Sequence, residues 1–168
     1  MLERLANAAL FQLGWFVCVI GGNSLWLLVA LGALVIHLLW ISRWVDEGRL
    51  ILSVVLLGTT VDSSLHWLGV FEFNEIVPLI PLWLMLLWAL LATTLRHCLQ
   101  WTATPWWLGS LLGAVGGPLS YYAGGQLAGV QFPYGQVPTL IGIGLLWALL
   151  FPTLHFMAQR LAASDTHG

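Results

Sequence analysis

Lysine is absent from this chain, and charge of either sign is scarce: Asp, Glu, Lys and Arg together make up 7% of its 168 residues. A soluble domain carries about 25%. With so few basic groups, the chain has no electrostatic footprint for nucleic acid. Only two cysteines occur, Cys18 and Cys98. The spans below put Cys18 towards the outer leaflet and Cys98 at the inner end of span four. Their α-carbons could not come within the roughly 7 Å that a disulfide needs. No G-x-S-x-G, H-E-x-x-H or phosphate-cradling glycine loop followed by lysine is present, which excludes the familiar hydrolase, zinc-peptidase and nucleotide-binding signatures.

What is present is apolar sequence: 60% of residues are hydrophobic and the mean hydropathy is +0.91. A spanning helix needs about 20 apolar residues to cross roughly 30 Å of hydrocarbon. Six such runs can be read, at about 6–22, 24–42, 50–71, 76–96, 105–126 and 137–160. The first two are separated only by the turn Gly21-Gly22-Asn23-Ser24. The expectation is an all-α polytopic membrane protein, one compact bundle of six transmembrane helices filling residues 1–168. The charged start and apolar run of the N-terminus imitate a signal peptide, but no small-x-small cleavage site follows, so it is read as a retained first span.

Orientation follows from the arginines. Arg4, Arg43, Arg49, Arg96 and Arg160 all fall in the N-terminus, the 43–49 segment, the 96–104 segment or the tail. The intervening segments carry no positive charge. The positive-inside rule then gives N-in/C-in topology in a bacterial inner membrane. Trp40, Trp44, Trp101, Trp106 and Trp107 sit near the proposed inner boundary, and Trp26 and Trp67 near the outer one, as aromatic belts do.

Span three reads VDSSLHW at residues 61–67, an acid and an imidazole inside an apolar run. Val55, Gly58, Thr59, Asp62, His66 and Gly69 recur at helical spacing and form one small-and-polar stripe. Leu50, Val54, Leu57, Val61 and Leu68 form the other side, expected to face lipid. Asp62 and His66 stand at i and i+4, so they share a face and can touch. Such a dyad serves as general base or proton relay. The other reading is that Asp62 anchors the hairpins through Tyr121, Ser120 or Asn23. Ser63 and Ser64 point away from Asp62 around the helix, so this string is not a catalytic triad. A metal would need more ligands than the dyad, with only Glu72 or Glu75 nearby, and no metal site is expected.

Span five is the glycine helix. Gly109, Gly113 and Gly117 form a doubled G-x-x-x-G, a packing surface. Pro118 crowds the carbonyl of Ala114, so a kink is expected, followed by the hydrogen-bonding groups Ser120, Tyr121, Tyr122 and Gln126. His37 and His155 lie at matching depth near the inner interface. They could pair on a haem, but a di-haem arrangement needs a second outer pair where only His66 stands, and no cofactor is expected. His97 and His167 read as interface and tail residues. Spans one to three and four to six would enter from opposite sides, so an inverted repeat is topologically open, although the halves show no sequence match.

Four stretches, FQLGWFVCVIGG (11–22), TTVDSSLHWLGVF (59–71), PLWLMLLWALLATTLRHCLQW (81–101) and GAVGGPLSYYAGGQLAGV (113–130), carry a resemblance. They resemble small bacterial inner-membrane proteins grouped as domain of unknown function 2878. The recurring features correspond here to Asp62, to Pro81, Trp83, Leu87, Trp88, Thr94, Leu95 and Trp101, and to Gly117, Pro118, Tyr121 and Gly124. That family has no established activity. Its members are often encoded beside cyclopropane-type fatty-acid methyltransferases and other lipid-modifying proteins, so the resemblance implies a lipid connection and a lipid-modifying enzyme as partner. It assigns no reaction.

The leading expectation is action on, or binding of, a lipid or other apolar ligand in an outer-leaflet cavity. Asp62, His66 and Tyr121 are the candidate reactive groups; Asn23, Trp67, Ser120, Tyr122 and Gln126 are the candidate binding residues. Two other expectations stand beside it: a small proton-coupled carrier with Asp62 as the protonation site, and a non-catalytic scaffold for a lipid-modifying enzyme built on the glycine face.

Overall fold

The computed structural model describes residues 1–74 and 78–165; Glu75 and His167 lie outside the described residues. Among the described residues the chain is all-α and holds six helices. They are α1 (Leu2–Gly21), α2 (Leu27–Ile36, continued by a π turn at His37–Ile41), α3 (Trp44–Trp67), α4 (Leu82–Leu95), α5 (Trp106–Ala128) and α6 (Gln136–Asp165). A single 3-10 turn, Gln100–Ala103, precedes α5. An isolated antiparallel bridge joins Glu72 to Gln131, tying the chain after α3 to the chain after α5. Among the described residues three helices are long and apolar enough to cross a membrane: Leu2–Gly21, Trp44–Trp67 and Gln136–Ala162.

Two of the boundaries that differ from the hydropathy reading do so for a local reason. The 43–49 segment is not a loop: α3 begins at Trp44 and carries Asp46 and Glu47 in its first turn. The positive end of the helix dipole favours acids there, and Arg43 Nε reaches Asp46 Oδ2 at 3.0 Å. The fourth helix starts only at Leu82, because Pro81 is extended (φ −61°, ψ 156°) and caps it. Proline's fixed φ and missing N–H suit that entry position.

The faces of α3 also differ. Its buried face runs Glu47, Leu50, Ile51, Val54, Gly58 and Asp62. Leu50 and Val54, expected to meet lipid, are instead core residues that pack with Trp88, Leu95, Ile143 and Leu154. The cause is that α3 has neighbours on two sides, α4 and α6, so one polar stripe is too narrow to describe what it buries. Leu52 and Leu56 of α3 are exposed, as are Leu145 and Leu149 of α6; these are the outward apolar surfaces. A second apolar cluster, with Cys18, Ala30, Trp83 and Leu90, joins α1, α2 and α4.

The most extensive helix pair is α5 with α6, and its glycines explain why. A Cβ at Gly113 would stand 2.3 Å from the Trp147 carbonyl oxygen, and one at Gly117 would stand 2.4 Å from Trp147 Cγ. From the other side, a Cβ at Gly144 would come within 3.0 Å of the Ala114 carbonyl oxygen, beside the turn where Pro118 provides no hydrogen-bond donor. Gly116, next to Gly117, would meet nothing within 4 Å. Gly113→Val or Gly117→Val is therefore expected to cost about 1–3 kcal/mol or more by overpacking. Gly116→Val should be tolerated. Thermal unfolding of the three variants in detergent checks the contrast, and equal losses at Gly116 and Gly117 would contradict this packing.

Candidate functional site

On a helix, residues four apart stack on one face, and on α3 that relation joins Gly58 to Asp62. The bare backbone at Gly58 admits the Trp88 ring so closely that a Cβ there would lie 2.0 Å from Trp88 Cδ2. One turn further along, the indole Nε1 donates to Asp62 Oδ2 at 2.8 Å. The Trp88 ring also stacks on Trp147 of α6, with centroids 5.4 Å apart and planes 14° from parallel. Tyr121 of α5 donates its hydroxyl to the other carboxylate oxygen, Asp62 Oδ1. The carboxylate is fully buried and gathers groups from α4 and α5 onto α3. Among the described residues no arginine or histidine pairs with it. The Trp147 indole N–H faces the Tyr121 hydroxyl without reaching hydrogen-bonding geometry.

Beside this knot lies a cavity of about 510 Å³. Its walls include Phe11 and Trp15 of α1, Leu87 and Trp88 of α4, Gly116 of α5 and Phe151 of α6. Asp62 and Tyr121 contribute to one end and Thr102 to the other. Trp15 Nε1 donates to Ser120 Oγ at 3.1 Å and links α1 to α5 along it. At the far end the Thr102 hydroxyl donates to the Leu99 carbonyl at 2.7 Å. It can then only accept from His155 Nε2, also at 2.7 Å. The lining is chiefly apolar, and the volume falls in the usual range for small-molecule sites, about 300–1,000 Å³.

The expected site residues divide. Asp62, Tyr121 and Ser120 come together at the cavity. His66 does not join them: its Nδ1 lies 3.2 Å from the Phe71 carbonyl oxygen and its ring packs on Phe73. The Asp62–His66 dyad is not formed, because α3 ends at Trp67 and the returning chain offers the imidazole a nearer partner. Asn23 Oδ1 accepts from the Trp83 backbone N–H at 3.2 Å and caps the start of α4. Trp67 is exposed and donates to the Pro78 carbonyl at 2.9 Å. Tyr122 and Gln126 are exposed and do not line this cavity.

A second polar knot was invisible to sequence spacing. Glu47, His37 and His97 converge, with ligand-type atoms all within 4.8 Å of one another. His37 Nε2 lies 2.8 Å from Glu47 Oε2, and His97 Nε2 lies 2.6 Å from Oε1. The Asn7 amide is oriented by the backbone: its oxygen accepts from the Cys98 N–H at 3.2 Å and its nitrogen donates to the Thr93 carbonyl at 3.1 Å. The same nitrogen faces His37 Nδ1 at 3.2 Å, so Nδ1 is the acceptor and the ring proton sits on Nε2. That proton occupies the lone pair a metal would take. The cluster is a buried carboxylate accepting two imidazole N–H groups. Cys98 in the same turn is no activated nucleophile, since burial pushes its thiol up, with a hydrogen bond from its backbone opposing more weakly.

Both knots give stability predictions, read by thermal unfolding in detergent. Asp62→Leu leaves two buried donors without acceptors and should cost about 1–3 kcal/mol for each. Asp62→Asn should cost far less. The amide oxygen accepts from Trp88 and the amide nitrogen can donate to the Tyr121 oxygen. Glu47→Ala leaves the buried His37 N–H without an acceptor and should cost about 1–3 kcal/mol there, and less at the partly exposed His97. Equal losses for the two Asp62 variants would contradict the hydrogen-bond assignment.

Comparison with curated proteins and with solved structures finds no match. A family model described as "Protein of unknown function (DUF2878)" matches residues 4–153, nearly the whole helical bundle including both knots, and the chain belongs to that family.

Proposed function

We propose that this chain is a six-span, N-in/C-in inner-membrane protein that binds a lipid or other apolar ligand in the cavity beside Asp62 and Tyr121. The observation that carries the reading is the cavity itself: about 510 Å³ with walls that are mostly leucine and aromatic side chains. An acyl chain or comparable apolar body finds dispersion contacts on such walls, and the Ser120 hydroxyl, which accepts from Trp15, can still donate to a polar head. The cavity differs from the sequence expectation in extent. The lining runs from Asp62 as far as Thr102 rather than staying at one end.

That same extent supports a second reading, a proton-coupled carrier. The carrier needs a path between the level of Asp62 and the level of His155. The cavity is lined by Asp62 and by Thr102, whose hydroxyl holds His155. The scaffold reading drew on Gly109, Gly113 and Gly117, and the last two face Trp147 of the same chain.

Gly116 provides the test, because an added side chain there meets open space and projects from the cavity wall. Gly116→Phe should leave folding intact and remove copurifying lipid, measured by native mass spectrometry, together with binding of a fluorescent acyl probe. Retention of both by a well-folded Gly116→Phe protein would defeat the apolar-ligand reading.

A further inference from the structure

Asp62 is a carboxylate whose two visible partners, Trp88 and Tyr121, are neutral donors. A buried carboxylate without a cation is held by hydrogen-bond donors, by keeping a proton, or by a positive charge brought to it, and two neutral donors at Asp62 leave the last two open. No arginine or histidine is among the cavity walls. The titratable and charged groups on the elements around Asp62 are few. On α3, His66 is turned to the Phe71 carbonyl, and Asp46, Glu47 and Arg49 lie in the first two turns at the far end, with Glu47 occupied by His37 and His97. From α5 comes Tyr121, from α4 the Trp88 indole and from α6 the Trp147 indole, with His155 further along α6 held by the Thr102 hydroxyl.

The cavity next to this carboxylate is rich in aromatic rings, with Phe11, Trp15, Tyr121, Trp147 and Phe151 among its walls. Aromatic rings attract cations through their quadrupoles, and quaternary ammonium groups above all. A carboxylate in low dielectric acts on a charge through several ångströms without touching it. A cavity with apolar and aromatic walls, one acid and no base selects one sign of ligand.

We propose that the ligand is a lipophilic cation, an ammonium-type amphiphile, and that Asp62 exchanges its proton for it. This deepens the proposed apolar-ligand function and rests on it. In the empty state the Asp62 carboxyl carries a proton on Oδ1 and donates it to the Tyr121 oxygen; once ionised, it accepts from the Tyr121 hydroxyl instead. When the cation enters, that proton leaves to solvent and the ionised carboxylate balances the bound charge, so one positive charge replaces another.

The test compares two probes of the same shape and opposite charge, tetraphenylphosphonium and tetraphenylborate, on the purified protein by titration calorimetry. The expected result is at least about tenfold tighter binding of the cation. Its affinity should rise with pH, and about one proton should be released for each cation bound. Asp62→Asn, which can keep both hydrogen bonds, should abolish the preference for the cation and the proton release. The charge comparison on the unmodified protein stands even if that variant does not fold. Equal or tighter binding of the borate, with Gly116→Phe still blocking it, would overturn the cation proposal and leave the apolar-ligand function intact. Failure of both probes while the acyl probe binds would overturn it in the same way. Failure of all three would remove both.

Discussion

An ionisable side chain placed inside an apolar bundle must have its hydrogen-bonding capacity met there, and this requirement at Asp62 organises the neighbouring helices. The acid sits on α3, its two donors come from α4 and α5, and the ring that makes one of those bonds is stacked on α6. Each step has a steric precondition. Trp88 can lie flat on α3 only because residue 58 is glycine, and Trp147 can reach the stack only because residue 117 is glycine. Between two helices bared of side chains, a pair of indoles fills the space and delivers one N–H to the carboxylate. The glycines, the tryptophans and the acid are thus one device.

The knot at the other end of α3 works by the same logic with different chemistry. Glu47 is four turns from Asp62 along one buried face, and its charge is met by imidazoles from the end of α2 and the turn after α4. Asn7 of α1 closes the set by taking the Cys98 N–H, the Thr93 carbonyl and the His37 ring at once. Between them the two knots tie elements from α1 to α5. Part of the space left between α1, α4, α5 and α6 is unfilled, and that space is the cavity. A volume bounded at fixed points is a better receptor than one lined by loosely held leucines, since preorganised walls cost less to order on binding.

Much of this was legible in the sequence and some could not be. The six helices follow from hydrophobic runs, and the importance of Asp62 and Tyr121 follows from polarity in an apolar setting. The partner Trp88 was not legible, because tryptophan is as much a lipid-boundary residue as a hydrogen-bond donor. Spacing put His66 on the face of Asp62, but spacing cannot register that the chain reverses after Trp67 and presents the Phe71 carbonyl. Glu47 was hidden by hydropathy, which assigns a charged stretch to a loop. The first turn of a helix tolerates acids for reasons of its own dipole. His97 looked like an interface residue because its partner is 50 positions away.

If Asp62 were only an anchor, its charge would be a cost without a return. An asparagine can take the Trp88 N–H on its oxygen and offer its amide to the Tyr121 hydroxyl, joining the same helices without any ionisable group to desolvate. Replacing a buried ion by a neutral group of similar shape is often neutral or stabilising. What aspartate adds over asparagine is the ability to hold a proton or a negative charge and to switch between them. That ability has consequences only where something charged can come near, and the carboxylate belongs to the wall of the cavity. The anchoring role accounts for the two hydrogen bonds; the choice of an acid to make them is what the proposed charged ligand would account for.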